Sequence, residues 1–435
     1  MESKLSFSKK SIKDISLKGK TVLLRADYNV PIKDGKVVDD YRIIQSLPTI
    51  KYLLDKNCKV IICSHLGRPK GKRDHSLSLG PVADVLSKKL TEKVFFSDDC
   101  IGTHVTESVK KLEQGQVLLL ENLRFYKEEE SNDKDFAKKL ANLADIFVED
   151  GFGVVHRAHA STEGVTKHVQ SVAGLLLEQE VSTIEDVMSK PKRPLVAIIG
   201  GAKIDDKIDI IDTFIKKADV VVIGGAMANT FLKAKGVDIA KSLSEPKEVS
   251  VAKDIIKKAE QEAKKRKFVF FVPHDSVAVS KIDKHAKTRI VDWTAHVIAT
   301  LENYPKRPPK QSGQLKDNEI IVDIGPYSGA FIAGVIQLAG TVIWNGAMGI
   351  TEIDAVEGPI GPFAHGTETV IEALLGEHGN KPYSLIGGGD TSGYIQERGL
   401  TECFNHVSTG GGASLDLMAG KKLPGVEALE NKEKK

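Results

Sequence analysis

Cysteine is scarce in this chain. The four residues, Cys58, Cys63, Cys100 and Cys403, include no C-x-x-C pair. Neither a disulfide framework nor a zinc site is expected, and a reducing, cytoplasmic setting fits. Net charge is nearly absent as well: 62 basic against 59 acidic residues leave +3. Such balance argues against binding nucleic acid by bulk charge. No apolar run approaches the roughly 20 residues needed to cross a bilayer. The run Met1–Ser6 lacks the apolar core of a signal peptide, so no membrane partner is expected. Two familiar phosphate fingerprints are also missing. There is no G-x-x-x-x-G-K-[ST] loop, and no glycine turn is paired with the acid of a dinucleotide motif.

What the chain has is length and alternation. Its 435 residues exceed one ordinary core, so two domains are expected. A 41% hydrophobic and 28% charged composition is that of a globular protein. Apolar runs at 21–26, 59–64, 93–97, 117–120 and 145–149 alternate with helical patterns at 41–56, 79–90 and 133–143. Near-continuous apolar strands between helices imply a parallel sheet covered on both faces. A helix over 172–190, broken by Pro191 and Pro194, reads as a connector. The second half repeats the scheme with strands at 195–199, 220–223, 268–272, 319–324, 341–344 and 383–386. The expectation is an α/β protein of two Rossmann-like, three-layer parallel-sheet domains joined by a hinge helix. The Pro- and charge-rich 304–314 reads as an exposed loop, and 427–435 as a solvated helix end. No long exposed apolar stripe stands out, so a monomer is expected.

The strongest local signal is Leu385-Ile386-Gly387-Gly388-Gly389-Asp390-Thr391-Ser392-Gly393. Strand, glycine turn and helix start present free backbone N–H groups to an anion. Asp390 would repel a phosphate unless a cation lay between them, which suggests a nucleotide with Mg²⁺. The alternative is a tight turn with Asp390 as a helix cap. A second such junction is Ile199-Gly200-Gly201-Ala202-Lys203-Ile204-Asp205-Asp206-Lys207. Lys203 and Lys207 are four apart, in a first helical turn where the macrodipole disfavours cations. That mismatch points to phosphate ligands, although Asp205 and Asp206 could neutralise them locally. Further glycine turns are Gly224-Gly225-Ala226, Asn345-Gly346-Ala347 and Gly410-Gly411-Gly412. Five such turns at strand ends of one sheet would line one crevice.

The first half carries a different set. Arg25, Asp27 and Asn29 end the first strand, and Arg42 opens the next helix. His65 and Arg68 end the second strand, Arg124 follows the fourth, and His156, Arg157 and His159 follow the fifth. Strand ends converge on one side of a parallel sheet, so this is a basic cluster suited to a small phosphate- and carboxylate-bearing polyanion. Asp27 and Asn29 could hold substrate hydroxyls. No general base stands beside a nucleophile, which fits phosphoryl transfer by positioning and charge stabilisation.

Taken in order, Arg25–Pro31, Ser64–Pro69, Glu121–Phe125, His156–Ser161, Gly200–Lys207, Trp344–Gly349, Gly387–Thr391 and Thr409–Ser414 resemble the phosphoglycerate kinase family, over nearly the whole chain. The resemblance implies a bilobal kinase with a central cleft. It would transfer a phosphoryl group reversibly, with Mg²⁺, between 1,3-bisphosphoglycerate and ADP, giving 3-phosphoglycerate and ATP. Carried over, Asp27, Asn29, Arg42, His65, Arg68, Arg124 and Arg157 would bind the glycerate. Arg42, Lys203 and Lys207 would face the transferring group. Gly201, Ala202, Lys203, Lys207, Ala226, Asn345, Glu352, Gly387, Gly388, Gly389, Asp390 and Thr391 would face the nucleotide, with Asp390 holding the metal. The implied layout is a glycerate domain 1–175, a hinge helix 176–193, a nucleotide domain 194–405 and a segment 406–435 returning to the first domain, with 424–429 packed there. Another carboxylate kinase on this fold, or a catalytically silent binding protein, would share most of these features. The chain departs from the family at Ala226, at Ile321-Val322, at Ala347 and at His274, and 279–318 is longer than usual. Ala226 and Ile321 fall near the implied adenine pocket.

Overall fold

A computed structural model of the chain describes residues 7–293, 313–377 and 379–433. The loop expected over 304–314 lies outside them except for Gly313 and Gln314. The described residues form two compact units, one of 1–186 with 409–435 and one of 187–408.

The first unit is built on six strands: β1 (Thr21–Arg25), β2 (Lys59–Cys63), β3 (Val94–Phe96), β4 (Val117–Leu119), β5 (Ile146–Glu149) and β6 (Gln170–Ala173). Their order is β3-β4-β2-β1-β5-β6, and every pairing is parallel. Successive side chains of β1 enter opposite cores. Val22 and Leu24 pack with Val60, Ile62 and Val148, whereas Leu23 packs with Ile61 and Phe147. This alternation explains why the strands read as unbroken apolar runs. β6 was not anticipated, because Val172 and Ala173 merged into the connector pattern; that helix begins later, at Leu175–Ser189.

The C-terminal stretch is not a solvated helix end. A one-turn helix, Pro424–Glu427, is followed by a backbone bridge from Lys9 to Asn431, with Leu429 buried. The amide of Gly425 donates to the Val155 carbonyl at 2.9 Å.

The second unit has β7 (Leu195–Ile199), β8 (Val220–Ile223), β9 (Val269–Phe271), β10 (Asp275–Val279), β11 (Arg289–Asp292), β12 (Ile320–Ile324), β13 (Thr341–Asn345), β14 (Tyr383–Gly387) and β15 (His406–Val407). Six of them form a parallel sheet in the order β9-β8-β7-β13-β14-β15. β12 does not join it, against the sequence expectation. It pairs antiparallel with β10, which also pairs with β11, in a separate three-stranded sheet. An apolar run specifies a strand but not its partner. The helix Pro326–Leu338 has no charged residue, and it leaves Tyr327, Phe331 and Leu338 exposed, Leu338 at 76%. An apolar stripe is therefore present after all.

Candidate active site

In the first unit the strand order reverses direction around β1, with β2 on one side and β5 on the other. The carboxyl ends beside such a switch form the crevice where open α/β sheets bind ligands. Arg25, Ala26 and Asp27 leave β1 there, and Ser64 and His65 leave β2.

Arg25 is fully buried and turned inward. Its Nε donates to Ser161 Oγ at 2.8 Å, its Nη1 donates to the Ala26 carbonyl, and its Nη2 lies 3.2 Å from His65 Nδ1. It therefore does not present its charge at the surface. Asp27 receives the Asn29 amide at 3.1 Å and a guanidinium N–H of Arg42. Burial pushes this carboxyl up, but Arg42, then the His65 ring 4.0 Å away, the Asn29 amide and Arg25 outweigh it and hold the pKa at about 2. Asn29 Oδ1 accepts from the Gly67 amide at 2.9 Å, and Arg124 Nη1 donates to the Gly67 carbonyl at 2.9 Å. The Gly67 turn thus connects Asn29 with Arg124. Gly153 comes so close to Asp27 and Arg42 that a side chain there would strike them.

The histidines do not add charge. Burial, reinforced by Arg25, Arg124 and Arg42 against the pull of Asp27, holds His65 well below the usual imidazole range. Burial and nearby arginines lower His156 as well, and bring His159 to about 4. The cationic face consists of Arg42, Arg68, Arg124 and Arg157. Arg68 is exposed and makes no hydrogen bond or ion pair among the described residues, and Arg157 Nε donates to His156 Nε2 at 3.1 Å. Such an array can grip a small polyanion through forked N–H donors while Asp27 remains an acceptor for hydroxyl groups.

In the second unit the switch falls between β7 and β13. Gly200 and Gly201 leave β7, and Asn345 and Gly346 leave β13. Their backbones touch: Gly200 N donates to Asn345 O at 2.8 Å, and Gly201 N donates to Ala347 O at 3.0 Å. Gly346, at φ +98°, lies where a Cβ would strike the Gly200 backbone, and Gly225, at φ +63°, is as close to Gly201. Only glycine fits such left-handed, crowded positions. Gly387, Gly388 and Gly389 lead from β14 into the helix Gly389–Glu397, and Thr391 Oγ1 accepts from the Gly346 amide at 2.8 Å. Four of the five glycine turns therefore belong to this unit. The fifth, 410–412, belongs to the first, where the preceding Thr409 donates to Glu180 from its amide at 2.6 Å and its hydroxyl at 2.8 Å.

Lys207 does not stand in a first α-helical turn. A 3₁₀ turn, Asp205–Lys207, precedes the helix Ile208–Lys217, and Lys207 Nζ folds back to donate to the Gly200 carbonyl. Burial lowers its pKa to about 8 against the opposing pull of Asp390 and Asp206. Lys203 is exposed and unpartnered among the described residues. Asn345 is buried, and its Nδ2 has no hydrogen-bond partner among the described residues. A buried amide left unsatisfied beside glycine turns is what a bound oxyanion would satisfy.

A pocket next to these turns is lined by Gly201, Ala202, Gly225, Ala226, Glu352 and Asp390 on its polar side. Leu243, Ile282, Ile320 and Ile321 form an apolar wall. Leu243 and Ile282 were not legible as site residues, because nothing local marks an apolar residue as pocket-lining. Asp323 was also missed as a site residue. It lines the same pocket, accepts from the Gly366 and Ile324 amides at 2.8 Å each, and is pushed by burial to about 7. Asp390 is exposed at the helix start with no hydrogen-bond partner among the described residues. No cluster of three or more His, Cys, Asp or Glu among those residues is arranged to hold a metal. A single free carboxylate beside a phosphate cradle suits Mg²⁺, which keeps water and phosphate oxygens as most of its ligands.

Glycine turns, a part-buried lysine and an unsatisfied amide are groups that can hold phosphate and screen its charge. Solved structures agree in fold. The chain superposes on phosphoglycerate kinase from Coxiella burnetii with a TM-score of 0.78 and 36% identity, covering 97% of this chain and 98% of that one. It superposes on the Pyrococcus horikoshii enzyme of the same name with a TM-score of 0.79 and 31% identity, covering 96% and 98%. The class is thus that of a two-unit α/β kinase. The phosphoglycerate kinase family profile matches residues 12–421. Phosphoglycerate kinase of Dictyoglomus turgidum is 46% identical over 421 residues, 97% of this chain and 98% of that protein. That of Koribacter versatilis is 45% identical over 433 residues, 98% and 100%. The chain belongs to the phosphoglycerate kinase family.

Proposed function

We propose that the protein carries out Mg²⁺-dependent, reversible phosphoryl transfer from 1,3-bisphosphoglycerate to ADP, giving 3-phosphoglycerate and ATP, a glycolytic step in the cytoplasm. The observation that carries this reading is the set of glycine turns at the β7/β13 switch, with Lys207 and the unsatisfied Asn345 amide beside them. The acceptor in the reverse direction is a carboxyl group. Asp27, Asn29, Arg42, His65, Arg68, Arg124 and Arg157 bind the glycerate. Gly201, Ala202, Ala226, Asn345, Glu352, Gly387, Gly388, Gly389 and Thr391 face the nucleotide together with Lys203 and Lys207.

Arg42, Lys203 and Lys207 stabilise the charge on the transferring group, each as an N–H donor to its oxygens. Asp390 holds the metal, which when bound neutralises phosphate charge. The working layout is a glycerate domain 1–175, a hinge helix 176–193, a nucleotide domain 194–405 and a returning segment 406–435. Transfer requires the two sites to meet during turnover, by bending at the hinge. Calorimetric titration tests the reading: 3-phosphoglycerate and Mg-ADP should each bind at one site per chain. Failure of both ligands to bind would remove it.

A further inference from the structure

Two histidines near Asp27 have a ring nitrogen facing a guanidinium donor, which cannot reverse its role: His156 Nε2 accepts from the half-buried Arg157, and His65 meets the buried Arg25. Arg25 Nη2 lies 3.2 Å from His65 Nδ1. A guanidinium has five N–H donors and no acceptor, so Nδ1 must offer its lone pair. The ring proton then belongs on Nε2.

Arg25 is itself locked. Glu129, fully buried, accepts from the Ser161 amide at 3.0 Å and from Ser161 Oγ at 2.6 Å. With its proton committed to Glu129, the Ser161 hydroxyl can only accept from Arg25 Nε, at 2.8 Å. Arg25 Nη2 also stands 4.0 Å from Glu129 Oε1. The chain of donors therefore runs one way on each side of Arg25. His65 is 3% exposed, and its Nε2 has no protein partner among the described residues.

We infer that Arg25, anchored by Ser161 and Glu129, is a positioning residue that holds His65 as its neutral Nε2–H tautomer and so presents an uncharged hydrogen-bond donor to the acidic substrate. This rests on the reading of the Asp27–Arg42 cluster as the glycerate site. An imidazolium there would crowd a face that already carries Arg42 and Arg124. A neutral N–H adds direction without further charge. The charged groups around the ring are Asp27, Arg25, Arg42 and Arg124, with Glu129 behind Arg25. The arginines and burial oppose ring protonation, and Asp27 alone favours it.

The test is an NMR spectrum of the full chain made with nitrogen-isotope-labelled histidine, with the His65 signals assigned by their loss in His65→Gln. Nitrogen shifts distinguish the two neutral tautomers and the charged ring. The expected result is Nε2–H, unchanged between about pH 6 and 8. An Nδ1–H ring, or a charged ring titrating in that range, overturns the inference. Arg25→Met should let the Nδ1–H form appear; an unchanged tautomer in a folded variant removes Arg25 from the role. If that variant fails to fold, Ser161→Ala, which releases Arg25 Nε, gives the same reading. Kinetics add an independent arm. His65→Gln keeps a donor where Nε2 lies and should raise KM for 3-phosphoglycerate several-fold less than His65→Ala, which should raise it about tenfold. Equal losses in both overturn the donor role. If the unaltered protein does not bind 3-phosphoglycerate, the glycerate reading fails while the tautomer result stands or falls by its spectrum.

Discussion

Arg42 and Lys203 differ in their resting partners, yet both are assigned to the transferring group. Arg42 is tied to Asp27, and Lys203 is free among the described residues. Arg42→Ala and Lys203→Ala should each lower kcat by about 10²–10³-fold, the range for losing one donor to developing charge. Steady-state assays check this, and near-normal kcat in both variants contradicts the assignment. Lys207 makes a pH prediction. Its ammonium is lost as pH rises through about 8 in the free protein. The kcat/KM for nucleotide should therefore fall above about pH 8, and Lys207→Arg should shift that limb upward. An alkaline limb that does not move in the variant would exclude Lys207 as its source. Stability moves in the opposite sense. Between the folded value of about 8 and the ordinary lysine value of 10.5, the unfolded chain binds more protons, so Lys207 makes stability rise with pH. At this scale residue types were legible and their orientation was not. Arg25 sits in the same motif as Asp27 yet turns inward to Ser161, and the basic look of His65, His156 and His159 hides rings that burial keeps neutral.

Among the elements, the helix Leu175–Ser189 depends on a buried acid. Asp150 Oδ1 accepts from the Leu176 amide at 2.9 Å and the Leu177 amide at 3.2 Å, satisfying two orphan donors of the first turn. Burial raises its pKa to about 7 despite these bonds and one from Thr49. A raised folded pKa contributes stability that is complete below the unfolded value of 3.8 and is lost as pH rises through about 7. Asp150→Asn retains an acceptor and removes the charge. Its urea midpoint should match the parent near pH 3.8, where the folded carboxyl is protonated, and exceed it near pH 8. Asp150→Ala should cost about 1–2 kcal/mol at the lower pH through the lost caps, and less near pH 8, where the parent has lost the stability of its protonated carboxyl. A variant Asn less stable than the parent at the higher pH would show that the charge is needed. The elements themselves were largely readable, since strands buried on both faces, such as β1, β5 and β7, leave unbroken apolar runs. Sheet membership was not. β12 reads like its parallel neighbours, but its partner β10 was hidden in the polar-looking Asp275–Val279.

For the whole molecule, the residues proposed to hold the glycerate and those proposed to face the nucleotide lie in different compact units. Binding at one should survive damage to the other. Asp390→Ala should weaken Mg-nucleotide binding by about tenfold or more while leaving 3-phosphoglycerate binding unchanged, since the Asp390 side chain makes no hydrogen bond among the described residues for the fold to lose. Paired calorimetric titrations check this, and loss of both affinities contradicts it. The two-unit α/β plan was readable from the alternation of apolar runs and helical patterns, and the family from the glycine turns and strand-end arginines taken in order. The apolar wall at Leu243, Ile282 and Ile320 emerges only when distant segments fold together. The most direct test of the central claim is a coupled assay with Mg-ATP, offering 3-phosphoglycerate, glycerate, acetate and aspartate in turn. Turnover with 3-phosphoglycerate alone is the expected result. No turnover with 3-phosphoglycerate, alongside turnover with another of these acids, would contradict it.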